Sequence, residues 1–162
     1  MAAGSTYTPI ATNTVSGTST TSITFSSIPS TYTDLIIVAN GAESADQYMA
    51  IRFNSDTGSN YSDTLLSGSG TTASSSRNTS QTFGRFGSGT VTGRWVSIVQ
   101  INNYANSTTY KTWLWRSNLD YVTAGVSLWR STSAITSVTL LTTTSDYFVS
   151  GSTFTLYGIA AA

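Results

Sequence analysis

The sequence contains no histidine and no cysteine among its 162 residues. Without cysteine, the chain forms no disulfide bond and offers no thiolate to a metal ion. Without histidine, it lacks both the usual proton-transfer side chain of hydrolases and the commonest metal ligand. Ser–His–Asp and Cys–His catalysis are therefore excluded, and any enzymatic chemistry would depend on carboxylates.

Charged residues are also scarce. They make up 9% of the chain, with seven basic and seven acidic side chains and a net charge of zero, whereas about 25% is usual. Lys111 is the sole lysine and Glu43 the sole glutamate. Because nucleic acids and anionic membranes are recognised by clustered basic residues, we predict neither as a partner. A net charge of zero permits self-association.

The chain has neither a run of about 18 apolar residues nor the features of a secretory signal. Its first residues, "MAAGSTYTPIATNTVSG" (1–17), include no basic segment and no apolar segment. Yet serine and threonine exceed a third of the chain and lysine is almost absent, a composition typical of proteins that work outside a cell. A virion component reconciles the two observations, because it is made in the host cytoplasm without a signal peptide and released by lysis.

Short runs rich in β-branched and aromatic residues recur along the chain, and no window of helical periodicity competes with them. The pattern predicts one all-β domain spanning 1–162, an antiparallel two-sheet β-sandwich that is jelly-roll-like. In the last run, Phe154 and Leu156 alternate with threonines and should face the core. The predicted strands lie within 20–28, 34–40, 47–54, 94–101, 110–117, 125–130, 135–142 and 152–159.

One segment, at about 67–90, is rich in glycine, serine and threonine and almost free of aliphatic residues. As a linker, it would separate two domains of under ~75 residues each, which bury too little surface to fold easily alone. We therefore predict a long Gly/Ser/Thr-rich loop within a single domain, with Phe83 and Phe86 packing it down locally.

The carboxylates show no arrangement specific to catalysis. A glycosidase needs two of them facing each other across a cleft, but most lie in turns, where aspartate commonly bonds its own backbone. We predict a protein that is not an enzyme and has no catalytic residue and no cofactor. The acidic residues are Asp34, Glu43, Asp46, Asp56, Asp63, Asp120 and Asp146.

The segment "NSDTGSNYSD" (54–63) offers oxygen ligands to calcium through Asn54, Asp56, Asn60 and Asp63. Only two of these are carboxylates, and the spacing differs from that of an EF-hand. We interpret the segment as a polar hairpin and predict no metal site.

Several predicted strands are apolar on both faces, whereas strands of an ordinary sandwich are polar outside. Within 110–117, Trp113 and Trp115 share one face and Leu114 lies on the other; runs 34–40 and 94–101 are similar. The second face is buried under loops, covered by another copy of the chain, or exposed as a platform for sugar rings. The candidate interface or glycan-facing aromatics are Trp95, Trp113, Trp115 and Trp129.

Four segments resemble small β-sandwich proteins from the virions of tailed bacteriophages, and the resemblance is to proteins of cyanobacterial phages in particular. They are "ITFSSIPSTYTDLIIV" (23–38), "IRFNSDTGSNYS" (51–62), "INNYANSTTYKT" (101–112) and "STFTLYGIAA" (152–161). The likeness extends from about residue 7 to 160, apart from 67–90. It implies a structural or surface protein with a jelly-roll fold and trimeric assembly. It implies no catalytic site, and no functional residue carries over.

We therefore expect a capsid decoration (cement) protein on the virion surface, a homotrimer that binds and stabilises the major capsid protein. Cementing requires buried area between subunits, roughly 1,200–2,000 Å² for a stable interface, and no chemistry. The chain begins with its own Met and has no fibre segment ahead of it, which favours a stand-alone protein. The alternative is a tail-associated receptor-binding module that recognises host surface glycans through Trp113, Trp115 or Trp129. A third hypothesis is a carboxylate glycosidase.

Overall fold

A computed structural model describes residues 6–45, 47–89, 93–118, 121–144 and 146–160. These residues form strands, turns and loops, and within them no helix is long and apolar enough to cross a membrane. The strands are β1 (Tyr7–Thr14), β2 (Ser22–Phe25), β3 (Asp34–Gly41), β4 (Gln47–Phe53), β5 (Tyr61–Gly68), β6 (Ala73–Gln81), β7 (Gly84–Gly89), β8 (Trp95–Ile101), β9 (Lys111–Asn118), β10 (Val122–Trp129), β11 (Val138–Leu141) and β12 (Thr153–Ile159).

The strands form two antiparallel sheets that pack as a β-sandwich, which confirms the predicted fold class. The large sheet has the order β1-β12-β3-β8-β9-β10-β5-β6, and the small sheet has the order β2-β11-β4-β7. Strand β7 of the small sheet contacts β8, β9 and β10 of the large one. Because β1 and β12 are neighbours, the first and last of these strands are joined in one sheet.

The strand order is compatible with a jelly roll. When the hairpins β5–β6 and β9–β10 are set aside, the large sheet has the order β1-β12-β3-β8. Successive strands then alternate between the two sheets, except for the step from β4 to β7 within the small sheet. Eight strands divided in this way between two sheets are the number and layering of a jelly roll.

The core follows from the two-residue period of the strands. In β9, Trp113 and Trp115 are buried, whereas Leu114 and Arg116, which alternate with them, are exposed. The small sheet covers the buried set, for instance through Phe53, whose ring lies edge-on to Trp113 at a centroid distance of 5.0 Å. Aromatic pairs in this geometry add to the free energy gained by burying their surface.

The predicted loop at about 67–90 is wrong for most of its length, because β5 continues to Gly68 and both β6 and β7 follow. Strand β6 is an edge strand that pairs only with β5, and most of its side chains are exposed. Such a strand needs no aliphatic residue, since it has no core position to fill. Its serines and asparagine therefore do not argue against a strand.

Strand β7 is rich in glycine because it passes close to larger side chains. A Cβ atom at Gly84 would collide with the ring of Trp113, and one at Gly87 with the methyl group of Met49. Between these glycines, Phe86 is fully buried, as its predicted packing requires. Glycine in a strand often marks such a close approach, so the composition that indicates a loop here reflects core packing.

The closing strand β12 lies between β1 and β3, and Phe154 and Leu156 are fully buried, as predicted.

We expect Phe154→Ala to lower the free energy of unfolding by about 3–5 kcal/mol, because it leaves a cavity beside Phe148. The centroids of the two rings are 4.8 Å apart. Deleting 152–162 should abolish soluble expression, since it removes a strand that is paired on both sides and leaves the edge of β3 open. Thermal melts rank the stabilities of these variants. Thr155→Ala and removal of 160–162 are the controls and should lower the melting temperature only slightly. A deletion of 152–162 that melts like the full chain would contradict this account of β12.

Candidate functional site

The large sheet carries a second apolar surface on the side opposite the small sheet. We call it the outer face. Its side chains come from β3, β5, β8, β9 and β10, which are neighbours in the sheet. Leu114 and Val126, directly opposite each other, are each 49% exposed, while Leu66 is 64% and Val122 71% exposed. The outer face consists of Ile36, Val38, Leu66, Val96, Ile98, Leu114, Val122 and Val126.

The outer face is concave and forms a groove of about 650 Å³. The groove extends from Leu66 on β5 across the sheet to Tyr7 on β1, whose ring packs edge-on against Tyr157. The five strands that carry the apolar residues span four inter-strand spacings, so with four residues along a strand the apolar surface measures roughly 19 Å by 14 Å, or about 270 Å². The largest apolar patches on typical monomers, about 300–600 Å², are often functional, and this surface is close to that size.

The charged side chains on the central part of the outer face are arginines. Arg116 lies on β9 between Ile98 on one neighbouring strand and Ala124 on the other, and it lines the groove. Arg77, at the centre of the edge strand β6, is opposite Thr64, which also lines the groove. The outer face is thus apolar at its centre and positively charged.

The four candidate tryptophans are not on this surface. Trp95, Trp113, Trp115 and Trp129 are all at most 3% exposed and belong to the core. Three of them use their indole N–H inside the protein: Trp113 donates to the Arg85 carbonyl, Trp115 to Ser127 Oγ and Trp129 to Asp56 Oδ2. Of the roles that the sequence left open for them, the structure shows burial in the core, because the small sheet covers the face of the strands on which they lie; in this conformation they face neither a glycan nor a neighbouring subunit.

Sequence analysis identified the two-faced strands but not which face would remain exposed. Val96, Ile98 and Leu114 were recognised as the opposite faces of their strands, and they do form the outer face. Leu66, Val122 and Val126 were missed. The sequence offers one weak indication of them, because each lies two residues from another position on the same face of its strand. Their segments are otherwise rich in serine and glycine, which hides the alternation.

The segment 54–63 is a structural turn. Asp56 accepts hydrogen bonds from the Gly58 N–H at 2.7 Å, Asn60 Nδ2 at 2.9 Å and Trp129 Nε1 at 2.6 Å. Burial opposes ionisation of Asp56, but these three donors outweigh it and lower its pKa. The Asn54 side chain instead binds 134–137, and no group of three potential metal-binding side chains occurs in the described ranges.

Asp63 faces the interior rather than the turn. It is 3% exposed, its Oδ1 accepts a hydrogen bond from Asn78 Nδ2 at 2.9 Å, and Arg85 Nε lies 3.9 Å away. Asp63 is therefore held within the sandwich by partners on β6 and β7. Of the other predicted acids, Asp34 accepts the Asn103 N–H, while Asp46 and Asp120 lie outside the described residues.

Glu43 is the most perturbed acid. It is 1% exposed, and neither carboxyl oxygen has a hydrogen-bond partner among the described residues. An isolated bridge joins it to Phe148, which places Asp146 diagonally across on the same side. Burial, followed by the negative charge of Asp146, raises the pKa of Glu43 to about 8. Because it is enclosed, Glu43 does not meet a substrate in this conformation.

Comparison with known proteins leaves the family open. No protein-family model matches the chain, and no curated protein matches it in sequence. The argument for function therefore rests on the residues and on the geometry of the sandwich.

The burial of Glu43 predicts an unusual dependence of stability on pH. Its folded-state pKa of about 8 exceeds the model-peptide value of 4.5, so between these pH values the folded state binds more protons than the unfolded one. The free energy of unfolding should thus fall as pH rises through this window, by up to roughly 4 kcal/mol. Glu43→Gln should remove this loss. Urea unfolding of both proteins at pH 5–9 tests it, and parallel profiles would contradict it.

Proposed function

We propose that the protein is a non-enzymatic structural protein of a phage virion, a capsid decoration protein that binds the outer surface of the head. The observation that carries the proposal is the outer face. An antiparallel sheet commonly has one face in the core and one polar face in solvent. Here the solvent-facing side displays Leu66, Leu114, Val122 and Val126 side by side, and the simplest reason to retain such a surface is that another protein covers it.

Composition and chemistry support the same proposal. The chain has no histidine and no cysteine, and the buried or hydrogen-bonded positions of Asp56, Asp63 and Glu43 present no pair of carboxylates across a cleft. The serine- and threonine-rich, lysine-poor composition suits a particle surface. The resemblance to small β-sandwich virion proteins agrees with the sandwich that the chain forms.

The alternative, a receptor-binding module for host glycans, depended on exposed tryptophans for stacking against sugar rings. Their burial removes that support. The outer face offers aliphatic side chains in their place, and these suit an apolar protein surface better than a hydroxyl-rich sugar. Docking onto a protein is therefore the function that the geometry supports best.

We further propose that the protein is a homotrimer, as its net charge of zero permits and the resemblance implies. Sedimentation equilibrium at high micromolar concentration should give a mass of about 51 kDa, three times the 17.1 kDa of one chain. A mass of one chain under these conditions would contradict the proposal. The three copies need not meet through their outer faces, since contacts in a cyclic trimer are heterologous.

Leu114→Asp tests the role of the outer face directly. It places a charge at the centre of the groove, where covering it would require removing its water. We expect binding to purified heads that lack this protein, measured by co-sedimentation, to fall by more than tenfold, while the thermal melt changes little. Ser22→Asp, at an exposed position of the small sheet, is the matched control and should bind normally. Unchanged binding by Leu114→Asp would refute docking through this face.

A further inference from the structure

We propose that the outer face binds an apolar segment of another protein that carries a carboxylate side chain, and that Arg116 receives this carboxylate. The inference rests on the proposed docking function and goes further, because it states the chemistry of the partner. It is carried by the position of Arg116 within the apolar surface.

Three of the four nearest neighbours of Arg116 on its own sheet are apolar, and the fourth, Asn118, is polar. Ile98 and Ala124 are its direct cross-strand neighbours, and Leu114 and Asn118 precede and follow it on the same side of β9. It lines the large groove and also a smaller one of about 210 Å³ that continues toward Val96 and Val122. Arg116 thus stands between the two halves of the apolar surface, where any protein that covers them must also cover it.

The guanidinium of Arg116 makes no hydrogen bond and no ion pair with the described residues. Among the described residues of this face, the acid Asp34 lies at the far end of β3, and its Oδ1 already accepts the Asn103 N–H at 2.7 Å. Covering an unpaired guanidinium with an apolar surface would leave a buried charge without compensation. The occupant must therefore supply an acceptor, and a carboxylate fits the planar donor set of arginine best.

A second copy of the chain packed face to face is disfavoured by the same argument. It would bring two copies of Arg116 and two of Arg77 to one interface, and the described residues of that surface offer Asp34 alone as an acid. Like charges at an interface suppress such pairing. The charge pattern instead complements a different protein whose apolar surface is acidic.

The dimensions indicate a protein segment rather than a small molecule. The surface of about 270 Å² is open and extends across five strands, whereas small-molecule sites enclose most of their ligand. A standard interface covers about 800 Å² on each partner, with an apolar centre and a polar rim. The outer face would form that centre, and hydroxyl-bearing strands such as β6 would contribute to the rim.

The chemistry is tested with two fluorescent probes that share an aromatic ring system. Anilinonaphthalene sulfonate is apolar and anionic, and N-phenyl-1-naphthylamine is apolar and neutral. We expect the native protein to bind the anion more tightly. Arg116→Gln should weaken anion binding about tenfold, which is about 1.4 kcal/mol, and leave the neutral probe unchanged. Arg94→Gln, an exposed arginine outside the groove, is the control and should have no effect.

Head binding supplies the second measurement. Arg116→Glu should bind undecorated heads at least tenfold more weakly than the native protein at low salt, and the difference should shrink as salt screens the charges. If Leu114→Asp weakens head binding but Arg116→Glu does not, the inference is wrong and the proposed function stands. If neither variant has an effect, both are wrong. If Leu114→Asp dissociates the trimer, the occupant is a second copy and the inference is wrong.

Discussion

The structure depends on the packing of a layer of aromatic side chains between the two sheets. Phe53 of the small sheet contacts Trp113 and Trp129 of the large sheet at centroid distances of 5.0 and 5.5 Å, and Tyr61 lies beside both tryptophans. Strand β7 approaches this layer only because Gly84 has no side chain. The four strands of the small sheet bury this one face of the large sheet, so a further apolar surface on its other side is left in solvent.

This constraint explains why the outer face is informative. The apolar residues of β3, β8 and β9 lie on both sides of the same strands, and a two-layer sandwich can cover one side only. Folding of the isolated chain therefore does not require Leu114 or Val126 to be apolar. A surface that stability does not explain, and that carries an unpaired Arg116 among aliphatic groups, is best explained by association.

Most of the architecture could be predicted from the sequence, because alternation in the apolar strands is strong. The inward direction of Phe154 followed from a period of two, and the same period placed Trp113 and Leu114 on opposite faces of their strand. Strands β5, β6 and β7 could not be predicted, since serine at an edge and glycine beneath Trp113 both resemble a loop. Which side of a two-faced strand is covered is also not local information. It depends on where the small sheet lies, and so the sequence left open whether the tryptophans belong to the core, to a subunit interface or to a glycan-binding surface.

The buried polar groups serve the stability of the fold, whereas Arg116 on the outer face is suited to association. Asp56 accepts hydrogen bonds within its own turn and from Trp129 on β10, and Asp63 accepts one from Asn78 on β6, so the two carboxylates stabilise a turn and a sheet contact. Glu43 is the exception, a buried acid without a donor, and its pKa near 8 makes it a site where stability was not optimised. It lies in the corner formed by Thr20, Phe148 and the end of β3, where Trp95 Nε1 is also unpartnered. Arg116 differs in being exposed: water satisfies it in the free protein, and only a partner that excludes that water must replace it.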